Sequence, residues 1–215
     1  MRFACVTTVM LVFVAAADTA EAQLCAGNPS FANQPYQAAV TAAFTEGAHG
    51  VGGEFGAGGE SLFASAGVSV INYRDLDALA TQVSAGAGTE FALEQQPNIF
   101  VCPLASVSFG VGPDVGAFDV STINLGVGGS LGIIASQTGS LMVVPTFGLA
   151  AIYSRVTVEN PGGEFTDSDG SGRATVGVGF IMNENIGITP AVVIPFSASN
   201  ADPTFQIRLS LAFGR

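Results

Sequence analysis

The chain has 215 residues, a formal net charge of −11, a mean hydropathy of +0.50, only 11% charged residues, and neither Lys nor Trp. Such acidity argues against a nucleic-acid binder, whose phosphate partners demand Lys and Arg. Beyond residue 22 there is no apolar run of the roughly 18 residues that a membrane helix needs, so the hydrophobicity must be spread by alternation.

In chain order, residues 1–22 come first. Arg2 supplies a short positive region, Phe3 to Ala17 is almost wholly apolar, and Ala20-Glu21-Ala22 places small residues at a cleavage point. This is the pattern of a secretory signal peptide with Gln23 as first mature residue. Leu24, bulky and directly before Cys25, does not suit a lipid-modified cysteine. Residues 23–36 then form a short N-terminal tail, and residues 37–215 one domain.

Period-two alternation marks ten strands. Three lie near 37–46, 50–58 and Leu62–Tyr73, rich in Gly and Ala. The fourth sets Val83, Phe91 and Leu93 against Gln82, Ser84, Gly86, Gly88 and Glu90. The fifth sets Ile99, Val101, Val107, Phe109 and Val111 against Cys102, Ser106, Ser108 and Gly110. Ile123, Leu125, Val127, Leu131 and Ile133 mark the sixth, and Leu141, Val143, Phe147, Leu149 and Tyr153 the seventh. Val176, Val178, Phe180 and Met182 mark the eighth, followed by Ile186, Ile188, Val192, Ile194 and Phe196 in the ninth. The tenth is the cleanest. Phe205, Ile207, Leu209, Leu211 and Phe213 form one face, Gln206, Arg208, Ser210 and Ala212 the other, which a helix of period 3.6 cannot sort.

Connections alternate between short and long. Those at 59–61, 94–98, 137–140 and 183–185 are short; those at 72–78, 112–120, 159–172 and 197–203 are longer, and only 47–49 breaks the trend. Short periplasmic turns, longer outer loops and an even strand count are the arrangement of transmembrane β-barrels. The expected fold is all-β: a closed, up-and-down antiparallel transmembrane β-barrel of about ten strands, with eight as the alternative. The tail 23–36 is then periplasmic.

Together with the final Leu209-Ser210-Leu211-Ala212-Phe213, these features resemble the small bacterial outer-membrane β-barrel proteins over residues 37–213. The resemblance implies an outer-membrane location and contact with lipid. It also implies recognition by the barrel-assembly machinery through the terminal strand Phe205, Ile207, Leu209, Leu211 and Phe213.

Candidate site residues follow from the inner face. Glu54, Glu90 and Arg208 are its charged groups, and a lumenal network centred on Arg208 stands beside the reading of solvated groups in a wet interior. The small inner side chains allow either a narrow aqueous path or a tail tucked inside. Cys25 and Cys102 are expected to form a disulfide pinning that tail, with two buried thiols as the alternative. Asp167, Asp169, Ser171 and Gly172 read as a flexible polar outer loop, because Val178 stands where a calcium loop needs a bidentate Glu. His49, Asp75 and Asp77 invite comparison with a rim enzyme, but no signature accompanies them. The expectation is a non-catalytic, monomeric barrel without metal or cofactor, structural or surface-interacting in role. A porin-like channel for water or small solutes is the alternative, and a rim enzyme a minor one.

Overall fold

The computed structural model describes residues 24–59, 61–74, 76, 78–113, 118–196 and 202–214. The signal-peptide reading, Asp75 and Asp77 lie outside them. No helix among the described residues is long and apolar enough to cross a membrane.

The described residues form twelve strands: β1 (Tyr36–Phe44), β2 (Ala48–Gly58), β3 (Leu62–Tyr73), β4 (Ala78–Thr89), β5 (Phe91–Leu93), β6 (Gln96–Val111), β7 (Asp119–Ile133), β8 (Ser136–Thr138), β9 (Leu141–Asn160), β10 (Gly163–Met182), β11 (Ile186–Phe196) and β12 (Thr204–Phe213). β5 pairs only with β6 and β8 only with β9; they prolong β4 and β7 beyond short breaks. The other ten form an antiparallel ring. It closes where β1 meets β12 with Tyr36 opposite Phe213 and Phe44 opposite Phe205. All backbone groups of a closed ring find strand partners, the condition for crossing lipid without an exposed edge. The start of β1 and the end of β12 lie at the end of the ring that carries the short turns, here the turn end; the opposite is the loop end.

Alternation sets the two faces. In β12 burial switches at every residue, with Phe205, Ile207, Leu209, Leu211 and Phe213 outward and Thr204, Gln206, Arg208, Ser210 and Ala212 inward. Val51, Phe55, Val68, Val83, Val107, Phe109, Leu125, Val127 and Leu149 continue the outward apolar surface around the ring. Tyr36, Phe55 and Phe213 cluster on that surface at the turn end, with ring centroids 6.1 to 6.3 Å apart. Outward apolar side chains over an inner face of small and polar ones suit a wall with lipid outside.

One expectation needs correction. The link at 159–172 is not a flexible loop. β9 and β10, 20 residues each, stay paired from Met182↔Leu141 to Gly163↔Asn160, and only Pro161 and Gly162 turn between them. Loop-type residues such as Ser, Asp and Gly are held there by backbone pairing, helped by Thr157 and Thr166, whose hydroxyls lie 3.2 Å apart. The described residues of the tail enter the ring.

Candidate functional site: a plugged lumen and a projecting hairpin

From Leu24 the chain forms a single 3-10 turn to Ala26, runs on buried to Phe31, and leaves the lumen at β1. Two apolar knobs hold it. Leu24 packs with Val144 and Ile181, flanked by Phe100, Ile134 and Met142, while Phe31 stacks on Phe63 with centroids 6.0 Å apart. Burying a side chain of this size contributes about 1.5–3 kcal/mol. Between the knobs, Cys25 is bonded to Cys102 of β6, with Cα atoms 6.0 Å apart.

Polar anchors complete the seat. The Leu24 backbone N–H donates to Glu90 Oε2 at 2.9 Å, and the Ser30 hydroxyl donates to Glu90 Oε1 at 2.7 Å. Thr189 Oγ1 donates to the Gly27 carbonyl at 2.8 Å, and Gln37 Nε2 to the Pro29 carbonyl at 3.3 Å. A buried backbone group without a partner costs about 1–3 kcal/mol, so these bonds are what let an irregular segment lie inside.

The wall makes room for it. A Cβ at Gly56 or Gly58 would come within 2.8 Å of the Phe31 ring, one at Gly187 within 2.9 Å of Pro29, and one at Gly132 would meet the Leu24 carbonyl. Gly27, with φ +78°, lies against Gly179 so closely that neither can carry a side chain. Residues 24–34 thus reach strands β1, β2, β3, β6, β7, β9, β10 and β11 and occupy the turn-end mouth.

Further in, the charged candidates separate into two places. Arg208 Nη1 bonds Glu54 Oε2 at 2.9 Å, both side chains buried. β1 lies between them and presents Ala39 and Thr41 inward, small enough for the Arg to reach across to β2. Glu90 does not join them, contrary to the sequence expectation of one network. It sits just past β4 at the turn end and holds the tail, because alternation sets which way a residue faces but not its height along the barrel. A second polar group spans β4, β6 and β7, where Ser108 Oγ accepts from Gln82 Nε2 at 2.6 Å and from Asn124 Nδ2 at 3.0 Å. Arg173 of β10 is also buried and inward, a residue the sequence reading missed. It shares the parity of Thr175 and Gly177, which the earlier start of β10 would have shown. At the loop end Ala48, Ile71, Tyr73 and Ala80 form an apolar cluster covered by Leu76.

His49 stands exposed on the outer face of β2, where nothing described gathers a catalytic group around it. Asp167 and Asp169 are exposed on the projecting part of β10. Each accepts from the backbone N–H of the next residue, Ser168 and Gly170, at 2.8 Å.

The translocator domain of the autotransporter NalP from Neisseria meningitidis aligns over 84% of this chain and 88% of its own length, with 13% identity and a TM-score of 0.50. The two share a fold, a closed antiparallel β-barrel. Neisserial surface protein A aligns over 83% of the chain and 97% of its own length, with 12% identity and a TM-score of 0.43. A bacterial polysaccharide outer-membrane secretin aligns over 78% of the chain with 10% identity and a TM-score of 0.46, but the chain spans only 57% of that structure. These likenesses concern architecture. No family model and no curated protein matches the sequence.

Proposed function

We propose that the chain is an exported, non-catalytic outer-membrane barrel, closed by its own N-terminal segment, that works through its outer surface. The seating of residues 24–34 in the turn-end mouth carries this reading. A path for solutes would have to pass the Cys25–Cys102 clasp, both Glu90 bonds and the two apolar knobs. The seat accounts for the small inner face that also suits a channel. On the other side of the membrane, the long β9–β10 hairpin offers a projecting surface.

Planar-bilayer recording of the oxidised protein tests the closure, and silence across salt and pH is expected. Steady single-channel steps from the oxidised protein would reject it. The outward direction of the hairpin is tested with Thr166→Cys in intact cells. Labelling by a membrane-impermeant maleimide is expected, and labelling only after lysis would reverse the orientation. Fractionation should place the protein with outer-membrane markers, extractable only with detergent.

A further inference from the structure

Among the described residues, β10 is paired on one side only along 163–171. β9 covers it from Gly163↔Asn160 to Ser171↔Ile152, whereas the pairing with β11 begins at Gly172↔Phe196. No described strand lies on the other side. The pair Asn160↔Gly163 closes a two-residue turn, so it exchanges hydrogen bonds, and the odd-numbered residues of β10 follow suit down the ladder. The N–H and C=O groups of Glu164, Thr166, Ser168 and Gly170 therefore point to the unpaired side.

A row of free backbone groups is a template for another strand. Here it is guarded: the outward N–H groups of Ser168 and Gly170 are taken by the carboxylates of Asp167 and Asp169. The guard selects the partner. A second copy would bring the same carboxylates against these, in a chain of net charge −11, and like charges across a pair of strands destabilise it. A segment carrying Lys or Arg draws the carboxylates onto its own side chains. The two N–H groups are then free for its carbonyls.

We propose that the 163–171 edge of β10 is a docking strand for an extended, basic segment of a partner protein, which adds to the β9–β10 hairpin by backbone pairing. This deepens, and rests on, the reading of an outer-surface interaction protein.

The test uses the full-length oxidised protein in nanodiscs and a fluorescent ten-residue peptide alternating Lys with Thr. Anisotropy reports binding, and amide exchange reports Thr166, Ser168 and Gly170. Saturable binding is expected, with slowed exchange at those three amides. N-methylation of alternate peptide nitrogens, or the double variant Asp167→Asn with Asp169→Asn, is expected to weaken it by about tenfold or more. Ser168→Pro removes one outward N–H without touching the ladder to β9, and should weaken binding while leaving the gel migration of the folded barrel unchanged. Absence of binding, equal binding of the N-methylated peptide, or unchanged exchange would overturn the proposal. So would a concentration-dependent dimer abolished by Ser168→Pro, which would make a second copy the occupant. A cell assay separates the two readings. If adhesion of intact cells to host or neighbouring surfaces is lost when residues 157–166 are replaced by Asn-Gly but survives Ser168→Pro and the double Asn variant, surface interaction stands and the edge does not.

Discussion

The two ends of the barrel treat irregular backbone in opposite ways. At the turn end, the non-strand segment 24–34 finds partners on all sides within its own chain: Glu90, Thr189, Gln37 and Cys102, with wall glycines cleared for it. At the loop end, regular strand runs out of partners among the described residues, and along 163–171 two N–H groups of one edge are taken by the strand's own carboxylates. Where the segment sits matters more than its regularity. Backbone inside a closed ring must be satisfied by the chain itself, while backbone beyond the ring has water and is free for a partner.

Stability should divide along the same line, with the greatest sensitivity inside. Arg208→Ala, between the two ends, leaves the Glu54 carboxylate buried without its cation and is expected to cost about 3–5 kcal/mol. Urea unfolding in detergent micelles measures it, and an unshifted midpoint would mean that water serves Glu54 equally well. Next comes the clasp. Cys25→Ser removes a cross-link between residues 77 apart in sequence and should cost about 2–4 kcal/mol. If the seat needs the bond to stay closed, this variant also gains intermittent conductance in planar bilayers. A silent variant would show the knobs and Glu90 sufficient. Glu90→Ala strips acceptors from the Leu24 N–H and the Ser30 hydroxyl, worth about 1–3 kcal/mol, and faster amide exchange at Leu24 is the readout. The smallest effect belongs to the loop end. Replacing residues 157–166 by Asn-Gly should leave the unfolding free energy within about 0.5 kcal/mol of the original, because surface changes away from packed features rarely do more. A large loss there would erase the contrast between the ends.

The sequence made some of these regions plain and hid others. β12 was legible because lipid and lumen demand opposite side chains at successive positions, and Phe205 to Phe213 obey without exception. The partnership of Arg208 with Glu54 was within reach for the same reason, since ring closure makes their strands near neighbours. Glu90 was misplaced because facing repeats every two residues while height depends on the stagger of each strand. The far half of β10 was hidden because Ser, Asp and Gly make loops and solvent-washed strands alike, and register is carried there by backbone bonds that leave no side-chain pattern. For the seat of the tail there was a faint signal, namely glycine at Gly56, Gly58, Gly132, Gly179 and Gly187 on faces otherwise bearing polar side chains. It could not be read before the strands were set side by side.

The clasp has one more consequence, for a chain that has been cut. Cys25 precedes the first strand and Cys102 lies in β6, so the covalent loop between them encloses β1 to β5 entire. A protease nick in any turn of that loop leaves two fragments still joined through sulfur, each keeping its place in the wall. On a denaturing gel they travel as one species until a thiol reductant parts them, whereas a nick at Pro161 or Gly162 releases its fragment at once.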